Sequence, residues 1–137
     1  MQCCLAAALQ DGAGAARPLS THGQAPTRSW HRTHDGLIYT SGHAAVDVDG
    51  LDIRPGDFRH EVRMTLDNLR RTLERAGSGL AKVIKVTAYI TDMNDFPAFN
   101  QIYAEFFPGE APPARTCVEV KRLPYNFKVE IEAIATT

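Results

Sequence analysis

Apolar side chains recur at Phe58, Val62, Leu66, Leu69, Leu73 and Ala76, spacings of four and three that place them on one face of an α-helix. Asp57 stands where an N-cap is needed and Gly77 where the helix must end. Over residues 83–91 the period changes to two. Ile84, Val86, Ala88 and Ile90 fall on one side and Lys85, Thr87, Tyr89 and Thr91 on the other, which predicts a half-buried strand. A helical period returns from Asn94 or Asp95 to Phe107, with Pro97 tolerated in the first turn. Phe99, Ile102, Tyr103 and Phe106 form its stripe, and Pro108-Gly109 stops it.

Upstream, the β-favouring run 37–41 follows Asp35-Gly36 and meets Gly42, so a strand should enter a tight bend there. Asp49-Gly50 and Pro55-Gly56 mark the loop before the first helix. Downstream, residues 114–120 and 127–135 both alternate, separated by 121–126, and read as two more strands. If these two pair as a hairpin, one register gathers Thr116, Val118, Val120, Phe127, Val129, Ile131 and Ala133 in the core. The opposite surface then collects Arg115, Cys117, Glu119, Lys128, Glu130 and Glu132. Such a surface reads either as ordinary cross-strand ion pairs on a wet face or as an anion site. In the second reading an arginine offers its planar fork to a carboxylate, and a nearby glutamate orients or deprotonates a water. The expected class is α/β (α+β): a mixed sheet of about six strands with two helices packed on one face. The other face is left to solvent or to another subunit.

Residues 1–27 carry Arg17-Pro18 and Ala25-Pro26 without any sustained period, and are expected to form an extension outside a single domain spanning 28–137. An organelle leader and an over-extended start both remain open as readings of that extension. The chain has 137 residues, 44% hydrophobic and 23% charged. A domain of this size buries roughly two-thirds of its extended-chain surface, so it needs neither disulfides nor a structural metal. Fifteen basic against 16 acidic side chains, a formal charge of −1, provide no polycationic surface. The expected partners are therefore small molecules and protein chains rather than nucleic acid. Cys3, Cys4 and Cys117 make neither a disulfide framework nor a metal spacing, which favours a reduced, cytoplasmic setting. The apolar run 3–9 is far below the roughly 20 residues that span a bilayer, and no membrane partner is expected.

Several single residues invite sharper readings. His31, His34 and His43 cluster in sequence but lack an acidic companion at ligand spacing, and are expected to face solvent rather than hold a metal. Cys117 beside Arg115 is a candidate nucleophile, although a core thiol is the expected role because no histidine base accompanies it. Arg59, Arg63, Arg70, Arg71 and Arg75, interspersed with Glu61, Asp67 and Glu74, should form a solvated helix face.

Together the segments Tyr39-Thr40-Ser41-Gly42, Asp92-Met93-Asn94-Asp95-Phe96 with Asn100, Pro113-Ala114-Arg115-Thr116-Cys117-Val118-Glu119-Val120, Leu123-Pro124 and Val129-Glu130-Ile131-Glu132-Ala133-Ile134-Ala135 carry a resemblance. From Gly36 to the C-terminus the chain resembles the Rid family, the YjgF-type reactive intermediate deaminases. The resemblance implies a chorismate-mutase-like fold and a homotrimer with a cleft at each subunit interface. It also implies hydrolysis of 2-imino or 2-enamino acids to 2-keto acids and ammonia. By position, Arg115 matches the residue that grips the substrate carboxylate and Glu130 the acid that handles the attacking water. Ser41 and Gly42 match a serine-glycine pair at the cleft, Asn100 a helix residue near it, and Cys117 a thiol lining it. No metal or organic cofactor is implied, because a protonated imine carbon is already electrophilic. Two departures stand out. The family's deaminases usually carry Gly-Pro-Tyr in the first strand, where this chain has Pro26-Thr27-Arg28-Ser29-Trp30, and the residue after Ser-Gly, commonly Gln, is His43. A trimeric ligand-binding regulator without turnover, and an endoribonuclease or translation inhibitor, are the alternative functions.

Overall fold

The computed structural model describes residues 29–47, 52–54 and 56–137. The 1–27 extension, Arg28 and the Asp49-Gly50 turn lie outside them. Strands β1 (His31–His34), β2 (Leu37–Thr40), β5 (Val83–Ile90), β6 (Ala114–Glu119) and β7 (Val129–Thr136) form one five-stranded sheet in the order β1-β2-β7-β5-β6. A short ribbon pairs β3 (Val46–Asp47) with β4 (Asp52–Ile53). Helices α1 (Phe58–Arg75) and α2 (Phe96–Phe106) cover one face of the main sheet.

The expected stripes are the ones that pack. Val62, Leu66, Leu69 and Leu73 from α1 and Phe99 and Ile102 from α2 are buried against Ile38, Val86, Ala88, Ile90, Val129, Ile131, Ala133 and Ala135. The Asp57 carboxylate accepts from the His60 amide at 2.9 Å, completing the N-cap, and Gly77 takes the positive φ (+80°) that ends α1. Asp35 and Gly36 turn β1 into β2 with positive φ at both positions, the tight-hairpin geometry.

Three expectations are corrected. First, β6 and β7 do not form a hairpin: β5 lies between them, parallel to β6 and antiparallel to β7. An interior place suits β5, whose alternate residues Val86, Ala88 and Ile90 are wholly buried, whereas β6 suits an edge. Second, the faces of β6 are reversed. Arg115 and Cys117 pair with Val86 and Ala88 and therefore point toward the helices, while Thr116 and Val118 are exposed on the open face. Third, an irregularity between Val83 and Lys85 in the β5–β7 register takes Ile84 out of the core, leaving it 48% exposed.

Helix α1 also buries a polar row beside its apolar stripe: Glu61, Thr65, Asn68 and Thr72, again spaced four, three and four. Glu61 is thus not part of a solvated face. Its Oε2 accepts from the Lys128 amide at 2.7 Å, and its Oε1 from the Gly56 amide and Lys128 Nζ, each at 3.2 Å. Lys128 Nζ also donates to the Gly56 carbonyl at 2.7 Å, so this carboxylate ties the start of α1 to the start of β7. Glu61→Ala would leave the partly buried Gly56 and Lys128 amides and the half-exposed Lys128 ammonium without their acceptor. We expect it to lower the unfolding free energy by about 2–4 kcal/mol, and Glu61→Gln, which keeps an acceptor, by about 1 kcal/mol. Urea midpoints at neutral pH measure both, and equal losses in the two variants would contradict the account.

Candidate functional site

On edge strand β6 the helix-facing side is only half covered, and α2 supplies the cover. The sequence Phe96-Pro97-Ala98-Phe99-Asn100-Gln101-Ile102-Tyr103 sets Phe96, Phe99, Asn100 and Tyr103 on adjoining turns. The Arg115 guanidinium lies over three of these rings, 4.5 Å from the centre of Tyr103, 5.3 Å from Phe99 and 5.6 Å from Phe96. Its Nη2 donates to Asn100 Oδ1 at 2.7 Å. Among the described residues it makes no ion pair with a carboxylate, so its charge rests on π faces and one amide. Burial pushes the Tyr103 phenol up to about 12, against the pull of the Arg115 charge, and its hydroxyl is buried without a hydrogen bond among the described residues. At neutral pH Tyr103 is therefore an uncharged shelf. Cys117, on the same side of β6, packs against the core, and burial pushes its thiol up while Arg115 opposes the shift. It is a partly buried thiol, and its shift runs against formation of the thiolate.

A second group of residues forms where β2 ends. The Ser41 amide donates to the Trp30 carbonyl at 2.9 Å and its hydroxyl to the Ser29 carbonyl at 2.6 Å. His43 exchanges both main-chain hydrogen bonds with Ile131, at 2.8 and 2.9 Å. Gly42, held between these anchors, lies directly against Glu130: a methyl group there would stand 1.9 Å from Oε1 and 2.7 Å from Cδ. Across the strand, Tyr89 pairs with Glu130 and donates to Glu132 Oε1 at 3.2 Å. Burial and the charges of Glu132 and Glu130 push its phenol up.

The proposed residues thus separate into two sets. Arg115, Asn100 and Cys117 meet on the helix side of β6, whereas Glu130 projects from the open face of β7 and rests on Gly42, with Ser41 alongside. Arg115 shares a row with Val86 and Ala133, but Glu130 shares one with Tyr89 and Val118. Two strands and three residues apart, their Cα atoms are separated by about 14 Å, with the side chains pointing to opposite faces. Glu119, expected on the same polar surface, instead caps the turn after β5, its Oε2 accepting from the Met93 amide at 2.6 Å.

Sequence reasoning missed the aromatic shelf and the role of His43. The shelf was legible as the 96-99-103 spacing around Asn100. His43 was expected at the surface, yet it is 1% exposed, with its ring 5.4 Å from that of Trp30. Trp30 is itself buried. Among the described residues no three His, Cys, Asp or Glu side chains are grouped as metal ligands, and no helix is long and apolar enough to cross a membrane.

The family model described as endoribonuclease L-PSP matches residues 22–137. The RutC family protein PH0854 of Pyrococcus horikoshii is 46% identical over 99 residues, 72% of this chain and 78% of that protein. TdcF of Escherichia coli, whose name assigns it provisionally to the reactive intermediate deaminases, is 40% identical over 101 residues, 72% of this chain and 78% of its own length. The crystal structure of TdcF with bound serine superposes with a TM-score of 0.76 at 35% identity, covering 84% of this chain and 91% of that one. RidA from the Antarctic bacterium Psychrobacter sp. PAMC 21119 gives a TM-score of 0.76 at 30% identity, covering 84% and 92%.

Proposed function

The chain belongs to the Rid family of YjgF-type proteins, and from that premise we propose that it hydrolyses small 2-imino and 2-enamino acids to 2-keto acids and ammonia. The observation that carries this reading is Arg115. A half-buried guanidinium supported by three aromatic faces and Asn100, without an internal carboxylate partner among the described residues, leaves an edge of its fork for the carboxylate of a ligand. The carboxylate-bearing serine held by TdcF agrees with that chemistry.

In the reaction, an enamino acid first takes a proton at its β-carbon to become the iminium. Glu130 holds a water and accepts its proton as the oxygen attacks the imine carbon. That proton then passes to the nitrogen of the tetrahedral carbinolamine. The C–N bond breaks, ammonia leaves with the electron pair, and loss of the hydroxyl proton gives the keto acid. Positioning and one proton-handling carboxylate suffice, and no cofactor enters the balance.

Arg115 and Glu130 of one protomer cannot reach one small substrate, so the site is assembled between subunits, the fork from one and the carboxyl from its neighbour. A homotrimer does this while covering exposed Tyr39 and Val118 on the open sheet face. The test is to generate 2-aminoacrylate in situ with a pyridoxal-phosphate dehydratase and follow keto-acid release above the spontaneous rate. At imino-acid levels far below the raised KM, where neither variant alone turns over measurably, mixing Arg115→Ala and Glu130→Gln subunits should restore about a quarter of the wild-type sites if the halves come from different chains. No recovery after verified subunit exchange rejects the shared site.

The missing first-strand phenol favours a second reading, a binder using the same cleft. Saturable 2-oxobutanoate binding that needs Arg115, without any acceleration, would establish it. The formal charge of −1 weighs against ribonuclease action, which salt-sensitive RNA cleavage surviving Arg115→Ala would reinstate.

A further inference from the structure

The geometry points to His43 as a positioning residue that seats the Glu130 carboxyl, an inference that rests on the function proposed for Glu130. The ring is buried with both nitrogens engaged: Nδ1 lies 2.9 Å from the Ser41 carbonyl and Nε2 lies 2.8 Å from the Thr72 hydroxyl on α1. A carbonyl only accepts, so Nδ1 carries a proton toward Ser41, while Nε2 meets the Thr72 hydroxyl, a group able to give or take a hydrogen bond. One side chain therefore links the peptide just before Gly42 to the helix layer. Trp30 packs against the ring, and its carbonyl takes the Ser41 amide, so the same two residues that hold the imidazole also hold the turn.

This frame bears on Glu130 through Gly42. The His43 main chain is paired to Ile131, the residue next to Glu130, and the carboxyl rests where a Gly42 side chain would be. Rotating the Ser41–Gly42 peptide would move the surface on which the carboxyl lies. A leucine at position 43 would fill the volume but leave the Ser41 carbonyl and Thr72 hydroxyl without their partner. Glutamine could satisfy both, since its amide supplies one donor end and one acceptor end. Arg115 lies on the other face of the sheet, so losing the His43 frame should disturb the water-handling half and spare the carboxylate grip.

The experiment compares wild type with His43→Leu, His43→Gln and Thr72→Val. With an in situ imino acid, His43→Leu should lower kcat by on the order of 10- to 100-fold while KM changes by about 2-fold or less, and His43→Gln should recover most of the loss. Thr72→Val should shift kcat in the same direction by a smaller factor, and adding it to His43→Leu should cost little more, because both remove one contact. Independently of turnover, the Glu130 carboxyl titration followed by ¹³C NMR should move by about half a pH unit or more in His43→Leu and stay near wild type in His43→Gln. Unchanged kcat and unchanged Glu130 titration in a folded His43→Leu overturn the inference; should that variant not fold, the same two null results in Thr72→Val overturn it. If wild type itself shows no turnover, the deaminase reading fails, and the Glu130 titration alone decides whether His43 seats the carboxyl.

Discussion

Arg115→Ala should lower kcat/KM for 2-imino acid hydrolysis by about 100-fold or more, with most of the loss appearing in KM. Two charge-assisted hydrogen bonds from one guanidinium edge, each worth about 1.5–3 kcal/mol, set that scale. Lysine keeps the charge but not the planar fork, nor the stacking on Tyr103, so Arg115→Lys should recover only part of the loss. Stability should change little, because the residue sits half exposed on an edge strand and no buried carboxylate among the described residues depends on it. Initial rates over a range of imino-acid supply, with the denaturation midpoint as control, measure both. Wild-type kcat/KM in a folded Arg115→Ala protein would remove the anion grip from the mechanism.

Gly42→Ala should separate activity from stability. The added methyl would collide with the Glu130 side chain, at 1.9 Å from Oε1, 2.7 Å from Cδ and 2.9 Å from Cγ, so the whole side chain has to turn aside, which a rotamer change achieves without moving backbone. Unfolding should therefore cost only about 1 kcal/mol less than in wild type. The displaced carboxyl, however, no longer meets the water, and kcat should fall by on the order of 100-fold. Thermal unfolding and progress curves test the pair of values. Unaltered kcat would show that the glycine seat is dispensable.

Much of the fold was legible because its strongest periods are unambiguous. The stripe from Phe58 to Leu73, the Asp57 cap, the strand around Val86 and the helix carrying Phe99 and Ile102 all reappear as buried elements. What failed was pairing and facing at β6. In Arg115-Thr116-Cys117-Val118 each alternate set contains one residue that tolerates burial, so alternation alone chooses no side. The edge position decided it, since the aromatic turns of α2 gave the arginine stem and the thiol a surface, while Val118 was left outward. Residues 121–126 had the length of a hairpin loop, but Tyr125 and Asn126 adopt left-handed φ values of 55° and 58°, and the chain passes on to the far side of β5. His43 sits outside any periodic run and was unreadable by that method. The row Glu61, Thr65, Asn68 and Thr72 was a missed signal: polar residues at core-adjacent helical spacing announce that backbone or buried polar groups pass close by. Asn68 confirms it, donating to the Ala44 carbonyl at 3.0 Å and the Val46 carbonyl at 2.6 Å.

The crossover from β5 through α2 to β6 has a consequence for how such a chain changes over time. Phe96, Phe99, Asn100, Tyr103 and Arg115 fall within one short stretch whose ends are joined by the parallel β5–β6 pair. Ser41, Gly42, His43 and Glu130, by contrast, are drawn together across nearly ninety positions of intervening chain. The first cassette can be inherited, exchanged or grafted as a contiguous piece. The second exists only when distant segments agree, so a substitution in any one of them is felt by the others.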